Sequence, residues 1–257
     1  MCIPTLSLAL ALATSGVARA QVNTENLRKR VKVVGYTFLL EGSLTADAGN
    51  TEGIAAGGGI GGGVASERHL AFAYARADYS RYGGVTSVNK TFAHARYNYE
   101  VTPGVWGEVF AQAQSDQFQR LALRSLLGIG PRFQIVHTAV PQDFDVYLGT
   151  SYMLERDAIK VAPGAPDESV QLWQRWNTYA TVQWQVDERV IVATTLYAQP
   201  AIPDYGNVRV LSESIATFKI TKLLTASISG TVRYDSAPPT DVKTADAEIK
   251  NTLALTF

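Results

Sequence analysis

The sequence predicts an all-β chain closed as a transmembrane antiparallel up-and-down barrel of about 12 strands. Three observations predict it. Apolar and polar residues alternate with period two through most of the chain, as strands with two unlike faces require. No apolar run after residue 20 approaches the ~20 residues that a membrane-spanning helix needs. The alternating rows also stay matched when neighbouring segments are paired as antiparallel hairpins.

In chain order, residues 1–20 come first. Leu6 to Ala13 are apolar, Gly16 breaks the run, and Ala18-Arg19-Ala20 puts small residues where a signal peptidase reads. This predicts a signal peptide over 1–20, cleaved before Gln21, and a barrel domain over 21–257. Of 23 Lys+Arg and 23 Asp+Glu, cleavage removes Arg19 and no acid, leaving a net charge of −1. It also removes Cys2, the one cysteine, so neither a disulfide nor a thiolate metal site is available. The balanced charge argues against a nucleic-acid-binding surface, which would need a basic stripe. Arg28, Lys29, Arg30 and Lys32 read as a solvated lead-in to the first strand.

Strands follow near residues 33–46, 54–64, 69–81, 91–101, 105–115, 119–136, 143–155, 174–186, 190–199, 208–220, 224–235 and 248–257. In the first, Tyr36, Phe38, Leu40, Gly42 and Leu44 oppose Thr37, Glu41, Ser43 and Thr45. The glycines at 57–59 and 61–63 open no helix, so they read as strand glycines permitting curvature or close approach rather than a phosphate loop. A turn at 102–104 sets Val105, Val109, Ala111 and Ala113 against Val101, Tyr97, Ala95 and Ala93. On the other face it sets Phe110 against Arg96, Glu108 against Asn98 and Gln112 against His94. Turns at 187–189 and 221–223 give two more hairpins with one apolar and one polar face, joining Trp184 to Val192 and Phe218 to Ala226. Short turns thus alternate with longer polar connections at 82–90, 156–173, 200–207 and 236–247, as in outer-membrane barrels with short periplasmic turns and long external loops.

The final segment alternates and ends on Phe257, which resembles the targeting signal of outer-membrane barrels and implies handling by barrel-assembly machinery. Tyr36, Tyr97, Tyr99, Trp184 and Phe257 fall on apolar faces near the inferred periplasmic ends, where an interfacial aromatic girdle would touch outer-membrane lipids. A Gram-negative outer-membrane location and a monomer are the resulting expectations.

Three local patterns carry a resemblance. Asp47-Ala48-Gly49-Asn50-Thr51, Arg96-Tyr97-Asn98-Tyr99, and Asp116-Gln117-Phe118-Gln119-Arg120-Leu121 followed by Arg124 and Gly128-Ile129-Gly130 resemble the salt-induced outer-membrane protein family, whose domain is of unknown function. The resemblance implies an outer-membrane barrel and brings no activity with it.

The polar faces carry Glu41, Arg96, Glu108, Arg120, Arg124, Glu155, Arg209, Glu213, Lys219, Arg233, Asp235 and Lys250. Charges facing lipid at mid-depth are costly, so this row belongs inside. Pairing places Arg209 opposite Asp235 and Glu213 diagonal to Arg233. Such charges either fill and rigidify a narrow interior or line an aqueous path for small solutes and ions. Twelve strands lie between barrels that side chains fill and barrels that conduct. His69, His94 and His137 are scattered and lack a neighbouring nucleophile, so no catalytic residue, metal site or cofactor is expected. Two functions remain: passive diffusion past Arg96, Glu108, Arg120 and Arg124 in envelope permeability or stress adaptation, or a plugged structural or binding barrel acting through loops 156–173 and 236–247. A lipid-modifying enzyme is a third, weaker fit.

Overall fold

The computed structural model describes residues 34–47, 52–139 and 143–256. The expected signal peptide, the basic run before the first strand, most of the Asp47–Thr51 motif and Phe257 lie outside them. Twelve strands run through the described residues: β1 Gly35–Asp47, β2 Gly53–Ala65, β3 His69–Tyr82, β4 Val85–Thr102, β5 Val105–Asp116, β6 Leu121–Thr138, β7 Phe144–Ile159, β8 Val170–Gln185, β9 Val190–Ile202, β10 Val208–Lys219, β11 Leu224–Asp235 and β12 Ala245–Thr256. Each pairs antiparallel with the next and β12 returns to β1, closing the barrel.

The hairpins have the predicted registers. Arg96 faces Phe110, Asn98 faces Glu108 and His94 faces Gln112; Trp184 pairs with Val192 and Phe218 with Ala226. One detail differs: Val101 is bulged out, so Thr102 rather than Val101 meets Val105 and the turn shrinks to Pro103-Gly104. Gly104, at φ 80°, supplies the left-handed conformation that this tight turn needs.

The outer connections are shorter than the sequence reading has them. Segment 82–90 is mostly strand, because Gly83 and Gly84, at φ 54° and 79°, form a two-residue hairpin turn of the primed kind. β7 and β8 extend past the expected strand ends, reducing loop 156–173 to 160–169, and β12 begins at Ala245.

Outward faces carry the apolar rows and inward faces the polar ones. Tyr36, Tyr97, Tyr99 and Trp184 all point outward near the end where β1 begins and β12 finishes. A second outward set, Tyr79, Tyr152, Trp176 and Tyr234, lies nearer the other end. Trp176 and Trp184 are separated by ~26 Å of β8 at ~3.3 Å per residue. At a tilt of about 40° that gives roughly 20 Å of height, close to the ~25 Å apolar band of a membrane barrel.

Inside, aromatic rings settle over glycines. A Cβ on Gly59 or Gly61 of β2 would overlap the Tyr74 ring, one on Gly128 of β6 the Phe110 ring, and one on Gly149 of β7 the Tyr179 ring. The ring-on-glycine pairs let bulky residues of one strand fill a lumen otherwise too narrow for side chains from both. Leu39, Leu70, Phe72, Tyr74, Phe92 and Ala254 form an apolar cluster beside the closing seam, and Tyr179, Tyr197 and Leu211 form another across from it.

Candidate functional site

The inward charges assemble into three connected groups. Towards the loop-bearing end, Arg124 holds Asp157 through Nε to Oδ1 at 2.7 Å and Nη2 to Oδ2 at 2.8 Å. Arg209 reaches across from β10, donating to Glu155, to Asp157 Oδ2 at 3.1 Å and to Asp235 Oδ2 at 2.7 Å. Arg175 donates to Glu155 at 3.4 Å, to the Gln199 carbonyl at 3.0 Å and to Asn207 Oδ1 at 3.1 Å. Three guanidinium groups and three carboxylates thus neutralise one another with most donors used, which is what burial of charge demands.

Deeper in the barrel, Glu108 accepts from Asn98 Nδ2 at 2.6 Å and from the Tyr179 hydroxyl on the far wall. Arg96 lies 3.7 Å from the same carboxylate. Arg132 donates to Tyr179 Oη at 3.0 Å and stacks on the Tyr147 ring, its Cζ 4.0 Å from the centroid. Between these two groups is a cavity of about 30 Å³ bordered by His94, Arg96, Gln112, Leu126, Asn177 and Leu211, room for a single water.

The third group lies against the seam. Tyr74 Oη donates to Glu41 at 2.5 Å and Arg76 pairs with Asp78 at 2.9 Å and Glu41 at 3.4 Å. Lys250 meets Asp78 at 2.8 Å, Lys90 meets Glu248 at 3.4 Å, and Arg233 lies 3.7 Å from Glu248. The Lys250–Asp78 and Lys90–Glu248 pairs span the lumen between β12 and β3 or β4.

Of the residues singled out from the sequence, Glu41, Arg96, Glu108, Arg124, Arg209, Glu213, Arg233 and Asp235 all project inward, with Arg209 opposite Asp235 as expected. Glu213 accepts from Thr231 Oγ1 at 3.4 Å. Arg120 is placed differently. It follows a short 3-10 turn at Gln117–Gln119, in left-handed conformation at φ 55°, and pairs at the rim with Asp241 at 3.0 Å. The reason is local: the Asp116 carboxylate accepts from the Phe118 and Gln119 amides, ending β5 at Asp116 and delaying the start of β6 to Leu121.

Several inward charges were missed. Arg76 and Asp78 alternate legibly with Ala75 and Ala77, and Arg132 follows Arg124 on one row of β6. His137, Asp143 and Asp145 also converge although their spacing gives no ligand pattern. Their donor atoms lie within 4.8 Å of one another, with His137 Nδ1 2.8 Å from Asp145 Oδ1. They are the described residues able to hold a cation.

At the rim, the 236–244 connection between β11 and β12 reaches across the barrel mouth to the β5–β6 and β7–β8 connections. Thr240 N donates to the Asp167 carboxylate at 3.2 Å, and Asp241 takes Arg120. Arg124, Asp157, Arg209 and Asp235 lie beneath, around a second cavity of about 30 Å³ that Pro238 and Pro239 also border.

A closed antiparallel ring of twelve strands, greasy outside between two aromatic rows and ion-paired inside, defines a transmembrane β-barrel of the outer-membrane type. The chain belongs to the DUF481 family, described as a protein of unknown function, whose model matches residues 41–257. That agrees with the resemblance read from the motifs, and the match says nothing of salt. No curated protein matches the chain. Among solved structures, the translocator domain of the autotransporter NalP from Neisseria meningitidis is similar at 12% identity and a TM-score of 0.51, over 91% of this chain and 94% of that one. The NanC porin is similar at 10% identity and 0.48, over 86% and 97%. LpxR from Salmonella typhimurium is similar at 10% and 0.46, over 86% and 99%. The first of these likenesses is one of fold.

Proposed function

We propose that this protein works in the outer membrane as a barrel with a packed lumen, acting at its outer face rather than as a diffusion pore. The carrying observation is that Arg132 and Arg175, on the inner wall, have 0% of their surface accessible. In an open aqueous path wide enough for solutes, wall guanidinium groups would be wet. The ion pairs that join distant strands favour the same reading, because each occupies the cross-section a solute would use. The sequence alternative of a plugged binding or structural barrel is therefore preferred to passive diffusion past Arg96, Glu108, Arg120 and Arg124.

Planar-bilayer recording tests it. The purified protein should give no conductance steps above background, and steps of a stable size would overturn the packed-lumen reading. Cleavage before Gln21 is part of the same proposal, checked by the mass of the protein recovered from outer membranes.

A further inference from the structure

The inward row of β6 is even-numbered as far as Gln134, which faces Tyr147 of β7. There the register shifts: Ile135 is passed over, Val136 meets Val146 and His137 meets Asp145. A bulge of one residue reverses the facing of every residue after it. His137, which unbroken alternation would turn towards lipid, is thereby brought to the inner side. Its donor atom and those of Asp143 and Asp145 lie within 4.8 Å of one another. The three stand at the mouth of the barrel where β1 begins and the short turns lie.

Backbone pairing holds both acids in place. The Asp143 carbonyl accepts from Gln185 N, at the end of β8, at 2.8 Å. Asp145 sits in the ladder between His137 and Gln183. Its side chain is 5% exposed, and its Oδ1 accepts from Gln134 Nε2 at 2.7 Å and lies 2.8 Å from His137 Nδ1. These bonds account for His137 and Asp145 and leave Asp143 over. Its Oδ1 is shut off from solvent and has no hydrogen-bond partner among the described residues. His137 Nδ1, the basic atom it faces, is 3.9 Å away, too far for a hydrogen bond. A carboxylate oxygen enclosed without a donor is costly, and here a second acid stands beside it.

We infer that His137, Asp143 and Asp145 bind a divalent transition-metal ion of the zinc class. One imidazole with two carboxylates suits zinc and its first-row neighbours, whereas magnesium and calcium take shells of oxygen. With bonds of ~2.0–2.2 Å, two donors on one such ion stand at most ~4.4 Å apart. The separations of 2.8 and 3.9 Å from His137 Nδ1 fall inside that limit. The ion gives Asp143 Oδ1 its missing partner and stands between two carboxylates that otherwise share one ring. His137 binds through Nδ1 with its proton on Nε2. Gln134, whose Nε2 also reaches Tyr147 Oη at 3.3 Å, orients Asp145 from behind. Buried Asp145 closes the protein side of the shell, while half-exposed His137 and Asp143 leave its other positions to water. The ion clips the end of β6 to the approach to β7. This site lies at the opposite end from the rim loops, goes beyond the proposed function and does not depend on it.

The test uses the whole barrel purified from outer membranes in detergent, without a histidine tag and stripped of metal by a chelator. Equilibrium dialysis against zinc should show a single saturable equivalent that magnesium and calcium do not displace. Asp143→Asn and His137→Gln should each weaken it by at least the roughly tenfold that even an outer-shell change costs. His69→Gln, at the same end of the barrel, should leave it unchanged. Zinc should also raise the urea midpoint of the heat-modifiable electrophoretic shift for the parent and not for Asp143→Asn, a readout that shows at once whether the variant is folded. Absence of saturable binding, binding that survives both substitutions, or displacement by magnesium or calcium at equal concentration overturns the inference. So does an equivalent lost with His69→Gln, which would put the ion elsewhere. Conductance judges the packed lumen separately: a silent barrel that binds no zinc overturns this inference alone.

Discussion

Arg124 and Asp157 stand directly opposite one another on β6 and β7 and are joined by two parallel charge-assisted hydrogen bonds of 2.7 and 2.8 Å. Such a bidentate pair, out of reach of water, holds its geometry strongly but is costly to break from one side. Replacing Asp157 with Asn leaves Arg124 and Arg209 short of a counter-charge. The expected loss is about 3–5 kcal/mol, read as a lower urea midpoint for the heat-modifiable electrophoretic shift. Replacing Arg124 and Asp157 together by Met should cost clearly less than Asp157→Asn alone; an equal cost would mean that the pair is not the source.

The ring-on-glycine packing predicts a specific compensation. A Cβ at Gly128 runs into the distal carbons of Phe110, so Gly128→Ala should destabilise by about 1–3 kcal/mol through overpacking. Adding Phe110→Leu removes the obstructing atoms and should recover part of that loss in the same unfolding assay. Phe110→Leu alone should destabilise, since it empties the site above the glycine.

Tryptophan placement predicts a depth profile. Trp176 and Trp184 face outward while Trp106 and Trp173 face inward. In variants keeping one tryptophan each, lipids brominated near the headgroup should quench Trp184 more than lipids brominated at the chain ends. Trp106 should be quenched weakly by both. Strong mid-chain quenching of Trp106 would put the inward row in lipid and invert the barrel assignment.

At the rim, Asp167 and Arg120 hold Thr240 and Asp241. The Arg120–Asp241 pair is largely exposed and contributes little to global stability. Arg120→Ala with Asp167→Ala should therefore leave the unfolding midpoint within about 1 kcal/mol of the parent. It should also raise the protease cleavage rate at 236–244 on intact cells roughly tenfold, as expected for a loop released from its ties. Unchanged cleavage would mean that other contacts hold the loop.

Strand number, register and sidedness were legible in the sequence because all three follow from one period: a residue's parity decides whether it meets lipid or lumen. Phe110 against Arg96 and Arg209 against Asp235 could be written down before any coordinates, since a hairpin turn fixes every partner behind it. Arg120 was misplaced because a single capping side chain, Asp116, outweighs alternation at a strand end. Segment 82–90 was read as a loop because Gly83, Gly84, Thr86, Ser87, Asn89 and Lys90 outnumber the apolar residues there, although Gly83-Gly84 carried the hairpin signal. The convergence of His137 with Asp145 and the short β1–β12 register have no local trace, because each depends on which residues the closed ring brings together.

The bond between Lys250 and Asp78 joins residues 172 positions apart, and that between Lys90 and Glu248 joins residues 158 apart. Neither can exist while the chain is an open ribbon of hairpins. Circularisation and the formation of these two interior bonds are therefore one event, and it carries the loop-closure cost of nearly the whole barrel. Before it, Asp78 has Arg76 and Lys90 of its own hairpin and Glu248 has Arg233 of β11; completing the circle merges two locally paired groups into one network.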